Sequence, residues 1–311
     1  MKKLDDAIKI IISGLDYAGK TSILTALDKK FDFSKYIAEL KPTIKIEYKK
    51  TSFLGLTVYT WDMGGQSKYR DLYQKNKEVY FADTNLLIYI IDIQDVERFE
   101  TSLDYLDAVV TYFKENDMDV PLIVSFHKFD PGLRGNEVSN NRINELRETI
   151  FEKYPTFKIL FQQTSIFDII SIIQLISYAL SVFDDKFFDL SHLLETYLVT
   201  FNCSSLIIFD ENGIIISEFY ADKIGPDSYI VLLESIKEHL YLLKRMQEEK
   251  YESDYNFTSI ENSLLSYLHK IIIGGEPFYV SVLVQEAEKE NLLQKFSDFV
   301  SDITKIMETL L

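Results

Sequence analysis

Gly14-Leu15-Asp16-Tyr17-Ala18-Gly19-Lys20-Thr21 decides how the chain is read. It follows the apolar run Ile8-Lys9-Ile10-Ile11-Ile12 and precedes a helical pattern from Ser22 to Lys30. Strand, glycine loop and helix, spaced as G-x-x-x-x-G-K-[ST], form a phosphate-binding loop. Gly14 and Gly19 permit backbone angles and close approaches that a side chain blocks. The turn aims backbone N–H groups at one point, where the positive end of the next helix adds to the field. Lys20 can then reach the β- and γ-phosphates, and the Thr21 hydroxyl can ligate Mg²⁺.

Working outward, 311 residues suffice for two ordinary domains. Apolar residues make up 47%, enough for a sizeable core. The single cysteine, Cys203, excludes an internal disulfide and fits a reducing compartment, so a cytoplasmic location is expected. Lys2, Lys3, Asp5 and Asp6 break any signal-peptide pattern, and the longest apolar stretch, Ile169 to Leu180, is too short to span a membrane. Position 2 is not Gly, and the chain ends in Leu310-Leu311, so no lipid anchor is signalled. Any membrane recruitment is therefore expected through partners. Residues 185–311 hold 22 Asp+Glu against 10 Lys+Arg within a total net charge of −16. Such an acidic half argues against nucleic acid as a partner.

The first 184 residues alternate strands and helices. Strands are expected at about 7–13, 44–49, 54–61, 86–91, 120–126 and 157–162, with 44–49 and 54–61 forming a hairpin. Residues 131–141 read as a loop and 142–154 as a helix. The fold class is α/β: a mostly parallel six-stranded sheet with helices on both faces. Ligands of such sheets bind at the carboxyl ends of the strands, where every motif here lies.

Asp62 ends the third strand, where a phosphate-loop protein places a magnesium carboxylate. Thr43 is a candidate to close over the γ-phosphate and complete the metal shell of Thr21, Thr43 and Asp62. The Gly65 N–H can contact the γ-phosphate, and Gln66 is placed to orient an attacking water. Asp130 can accept two hydrogen bonds from guanine's ring N–H and exocyclic amine, with the Lys128 stem along the purine face. Ser165 and the Ile166 N–H would support the base from below. The catalytic candidates are Gln66 and Lys20. The residues expected around the nucleotide are Gly14, Asp16, Ala18, Gly19, Lys20, Thr21, Ser22, Thr43, Gly65, His127, Lys128, Asp130, Ser165 and Ile166. The cofactors expected from these residues are GTP/GDP and Mg²⁺. Arg70 is expected to face solvent or an effector.

The Gly14–Thr21 loop, Trp61-Asp62-Met63-Gly64-Gly65-Gln66 and Lys128-x-Asp130 resemble a Ras-superfamily GTPase, most like the Arf and Rag/Gtr branches. The loop and Lys41-Pro42-Thr43-Ile44 are Arf-like, as is the separation of 19 positions between Thr43 and Asp62. His127 in place of Asn, Thr164-Ser165-Ile166 in place of Ser-Ala-Lys, and Gly64-Gly65-Gln66 are similar to Rag/Gtr proteins.

Asp184-Asp185-Lys186 marks the expected boundary between a GTPase domain (1–184) and a second domain (185–311). The second half reads as a helix (187–200) and a hairpin about Asp210-Glu211-Asn212-Gly213. A long helix (227–249), a short strand (255–260), a hairpin about 274–277 and a final helix (286–311) follow. This α+β order resembles the roadblock (longin-related) domain of Rag/Gtr proteins. The resemblance implies a homo- or heterodimer through 185–311, other roadblock or longin proteins as partners, and GTPase-activating and exchange factors. Two further readings stand beside the Rag/Gtr switch. One is an Arf-like trafficking GTPase, for which the few residues before the first strand are short. The other is a nucleotide-locked scaffold with little hydrolysis.

Overall fold

The computed structural model describes residues 7–29, 40–53, 56–183, 186–221, 234–242, 255–260 and 263–310. The expected end of the first helix at Phe31, the hairpin residues 54–55, the boundary pair 184–185 and most of the 227–249 helix lie outside these. The chain forms two compact units, Met1–Leu175 and Ile176–Leu311.

In the first unit, β1 (Ile8–Gly14), β2 (Ile46–Phe53), β3 (Leu56–Met63), β4 (Leu86–Asp92), β5 (Leu122–His127) and β6 (Ile159–Thr164) form one sheet of order β2-β3-β1-β4-β5-β6. Only the β2–β3 pair is antiparallel. The central strands are apolar on both faces: Leu86 to Ile91 are all buried, as a parallel sheet covered on both sides demands. The helices are α1 (Lys20–Lys29), α2 (Ser67–Lys75), α3 (Lys77–Phe81), α4 (Phe99–Glu115) and α5 (Glu137–Lys153); α6 (Ile169–Ser181) contains the division between the units at Leu175. Helix α4 buries Leu106, Val109, Val110 and Phe113 in the same cluster as Leu87, Tyr89, Phe126 and Leu146.

Helix α5 begins at Glu137, five residues before the start expected from sequence. The cause is a cap: the Asn136 side chain accepts from the Ser139 N–H at 3.0 Å, satisfying an orphan donor of the first turn. The apolar pattern alone starts later, because residues 137–142 carry little apolar periodicity.

In the second unit, α7 (Lys186–Phe201), β7 (Cys203–Asp210), β8 (Ile215–Tyr220), a helical stretch over 234–242, β9 (Tyr255–Ile260), β10 (Leu264–Ile273), β11 (Glu276–Gln285) and α8 (Lys289–Met307) follow in order. The sheet runs β8-β7-β11-β10-β9 and is antiparallel throughout. Gly274 and Gly275 both take positive φ (61° and 88°), which the two-residue turn between β10 and β11 requires. Asp210 closes the β7–β8 hairpin by accepting the Ile214 N–H at 2.7 Å.

Successive side chains of a strand point to opposite faces. Tyr267 meets Phe296 of α8, so Ser266 faces the other way. There Ser266 meets both Ser235 and His239 of the 234–242 helix, and His239 Nδ1 lies 2.6 Å from Ser281 Oγ on β11. Burial pushes the His239 imidazole down to about 3, so it stays neutral and pins this helix to the sheet by both ring nitrogens.

Two outcomes follow. Replacing the cap, Asn136→Ala, should lower stability by about 1 kcal/mol in denaturant unfolding. For His239 the folded state resists protonation while the unfolded state accepts a proton near pH 6.5. Its contribution is complete above that pH and falls below it, by up to about 1.4 kcal/mol per pH unit toward pH 3. Unfolding midpoints of wild type and His239→Gln between pH 7 and 4 should show the steeper decline in wild type.

Candidate functional site

The loop from Gly14 to Lys20 leaves β1 beneath the carboxyl ends of β3, β4 and β5. Gly14 sits at φ 143°, and a Cβ there would lie 2.3 Å from the Ile90 carbonyl oxygen of β4. Gly19 sits at φ 100°, and a Cβ there would lie 2.4 Å from the His127 ring. Gly65 presses on the loop from the other side, 2.3 Å from the Asp16 nitrogen by the same measure. Three glycines thus let three chain segments close around one cradle.

Lys20 is buried and donates to the Gly14 and Leu15 carbonyls at 3.1 and 2.6 Å. An ammonium has three donors, so one remains for a ligand. Burial lowers its pKa to about 8 against the pull of Asp62 and Asp16. Thr21 Oγ1 lies 2.7 Å from Thr43 Oγ1 and donates to Asp62 Oδ2 at 2.6 Å; Thr43 Oγ1 reaches the same carboxylate oxygen at 3.3 Å. Asp62 is 2% exposed, and its Oδ1 has no hydrogen-bond partner among the described residues. Burial raises its pKa, opposed by the Thr21 hydrogen bond and by Lys20. A buried carboxylate with an unmatched oxygen and two hydroxyls beside it is an all-oxygen donor set, which suits a hard divalent cation such as Mg²⁺.

The base end lies at β5 and β6. Ser165 Oγ donates to Asp130 Oδ1 at 2.6 Å. Lys128 takes φ 62° and reaches Asp92 Oδ2 at 2.6 Å. His127 is buried, and burial with the nearby Lys128 holds its pKa at about 3. The neutral ring is fixed by Thr164 Oγ1 at 2.8 Å, itself 2.6 Å from Ser125 Oγ. Where Asn is usual, His127 therefore meets the phosphate loop by packing its ring edge against Gly19.

A cleft of about 280 Å³ joins the two ends. Asp16, Gly19, Lys20, Thr21, Ser22, Thr43, Gly65, Gln66, His127, Lys128, Asp130 and Ile166 line it. Gly14, Ala18, Asp62 and Ser165 do not; they act from behind the wall, through the Ile90 contact, burial, the threonine pair and Asp130. Gln66 stands at the N-cap of α2 without a side-chain cap bond.

The family model for the ADP-ribosylation factor family matches residues 1–167. The chain belongs to the Arf family. Arf-family small GTPases bind GTP as a switch and hydrolyse it, so this Arf-family chain is a GTPase. Similar proteins include ADP-ribosylation factor-like protein 3 of Chlamydomonas reinhardtii, 36% identical over 130 residues, covering 42% of this chain and 67% of that protein. ADP-ribosylation factor-like protein 1 of Saccharomyces cerevisiae is 34% identical over 134 residues, with the same coverage. A solved structure titled as the Arl6 BBS3 small GTPase of Trypanosoma brucei with bound GppNp aligns at TM-score 0.46 and 16% identity, over 57% of this chain and 97% of that one.

Several residues of this Arf-family site escape sequence reading. Arg70 does not simply face solvent: its Nε donates to the Gly65 carbonyl at 3.0 Å and its guanidinium lies 5.4 Å from the Tyr105 ring centre. Arg98 bonds Asp16 Oδ1 at 2.8 Å and also Asp95, bracing the phosphate loop. Arg134 pairs with the buried Asp168 and ties the loop after Asp130 to the loop after Ser165. Tyr17 and Phe167 add exposed aromatic rims. Only Asp92, an acid at the end of a buried strand, carries a sequence signal of its own.

A Cβ at Gly14 meets a backbone carbonyl, whereas at Gly19 it meets a side-chain ring. Gly14→Ala should therefore weaken binding of a fluorescent GDP analogue more than Gly19→Ala, each by roughly tenfold or more.

Proposed function

We propose that the chain is a Rag/Gtr-type switch whose GTPase domain (1–184) is followed by a roadblock/longin-like domain (185–311). The carrying observation is the meeting of Thr21 and Thr43, in the wall of a cleft that ends at Asp130, with Asp62 directly behind them.

In this reading Lys20 holds the β- and γ-phosphates with its third N–H. Thr21, Thr43 and Asp62 hold Mg²⁺, which when bound neutralises charge on the phosphates. Thr43 sits at the foot of the first switch and Gly65-Gln66 open the second, so a γ-phosphate that engages them orders both segments and its loss releases them. Gln66 orients the attacking water. Asp130 reads guanine, with Lys128 along the ring and Ser165 and Ile166 beneath it. Among the described residues, the two arginines nearest the phosphate loop are engaged elsewhere, Arg70 with the Gly65 carbonyl and Arg98 with Asp16. Intrinsic turnover is then slow, on the order of 10⁻⁴ to 10⁻² s⁻¹, and an activating partner raises it.

The second unit supports the finer reading by its order: helix, hairpin, helix, strands, helix. Its dimer would pair 185–311 with itself or a relative, and partners would carry the protein to a membrane. Among the described residues no helix is long and apolar enough to cross one. A second reading, an Arf-like switch acting through its first unit, is favoured by the family match ending at residue 167. Mass measurement of the full chain in solution separates the two: a dimer carries the Rag/Gtr reading, and a monomer at micromolar concentration favours the second.

Single-turnover hydrolysis with Gln66→Leu should fall by at least about tenfold against wild type while GTP binding persists. Equal rates would support the locked scaffold. The sole tryptophan, Trp61, adjoins Asp62 on β3 and packs with Tyr48 at 4.8 Å and under the Lys9 ammonium at 3.8 Å. Its emission should differ between the GDP and GTP-analogue complexes; identical spectra would count against movement at the second switch.

A further inference from the structure

The loop between β4 and α4 touches both ends of the cleft, and Gln94 is its contact with the base end. The Gln94 side-chain amide donates to the Lys128 carbonyl at 2.8 Å and to Asp130 Oδ2 at 3.2 Å. The loop around it is fixed. Asp92 Oδ1 accepts the Gln94 backbone N–H at 3.0 Å, Asp92 Oδ2 accepts from Lys128 Nζ, and the Ile93 N–H donates to the His127 carbonyl at 3.1 Å. Further along, Arg98 grips Asp16 of the phosphate loop.

An amide nitrogen carries two N–H donors, and both are used. A carboxylate offers about two acceptor directions on each oxygen. Ser165 takes one on Oδ1 and Gln94 takes one on Oδ2. One direction remains on each oxygen of Asp130, and guanine presents two donors there, its ring N–H and its exocyclic amine. Among the described residues no other hydrogen bond holds Oδ2, so without Gln94 the carboxylate is pinned only at Oδ1, by Ser165. An acceptor pinned at one oxygen turns more easily about its Cβ–Cγ bond and loses part of the geometry that separates a base with two donors from one with a single donor.

We propose that Gln94 is a positioning residue for base selection: it holds Asp130 so that the carboxylate accepts both guanine donors at once. The inference rests on the reading of Asp130 as the guanine acceptor. The probe is inosine diphosphate, whose base keeps the ring N–H and lacks the amine.

The experiment measures GDP and IDP affinities for nucleotide-stripped, full-length wild type, Gln94→Ala, Gln94→Glu and Asp130→Asn, all with Mg²⁺. Gln94 is exposed, and a thermal unfolding scan confirms that its variants fold. The Glu variant keeps the length of Gln but sets a second carboxylate against Asp130 Oδ2 in place of the donor, so it should disturb base selection at least as much as Ala. The expected result is a wild-type preference for GDP that Asp130→Asn abolishes. In both Gln94 variants GDP affinity should fall by about tenfold and the GDP-over-IDP ratio should shrink by at least about threefold. If Asp130→Asn abolishes the preference while both Gln94 variants keep the wild-type ratio, whether or not overall affinity drops, Gln94 is only a loop tie and the inference is overturned. If wild type itself does not distinguish GDP from IDP, the Asp130 reading fails first and takes this one with it.

Discussion

One buried carboxylate organises the first unit. Asp62 is nearly inaccessible, and burying an ionised group with one oxygen unmatched is costly unless a cation or a donor completes it. The fold supplies two hydroxyls and a nearby ammonium, from two separate segments: Thr21 and Lys20 of α1, and Thr43 before β2. Lys20 and Thr21 are neighbours in sequence, but Thr43 and Asp62 lie 22 and 41 positions from Thr21. They meet because β1 and β3 pair in parallel, with Ile12 beside Asp62. The sheet register therefore sets the site, and a ligand that brings positive charge to Asp62 also ties the first helix to both switch segments.

The glycines decide whether that register can close. Gly14 rests on the Ile90 carbonyl, Gly19 on the His127 ring and Gly65 on the Asp16 backbone. Each contact joins a different neighbouring strand end to the phosphate loop. The ends of the cleft are coupled through the same strand ends, since the segment after β4 reaches Lys128 and Asp130 on one side and Asp16 on the other. The second unit uses a different logic. Its sheet is antiparallel and takes helices on both faces, with α7 and α8 joined by Tyr197 and Asp302, and the 234–242 helix fixed by serines and one histidine.

Much of this was legible in the residues. Strands β4 and β5 are mostly apolar, almost wholly buried runs, and the glycine loop, Asp62 and Asp130 fall at or just after strand ends as their spacing requires. The Asn212-Gly213 turn was equally plain. What sequence does not carry is lateral contact. Gln94 sits 36 positions from Asp130, and Arg98 sits 82 from Asp16; nothing in their local pattern announces either bond. The start of α5 was misread because its cap, Asn136, lies among polar residues that also suit a loop. Nor were Arg70's contacts with Gly65 and Tyr105 legible, because both partners are brought to it only by the fold.

The most direct measurement is a calorimetric titration of nucleotide-stripped full-length protein with GDP, GTP and ATP, each with Mg²⁺ and with chelator. Binding of both guanine nucleotides at least about a hundredfold tighter than ATP, weakened by removal of the metal, is the result the site predicts. Equal affinity for ATP, or binding indifferent to magnesium, would contradict the roles given to Asp130 and Asp62.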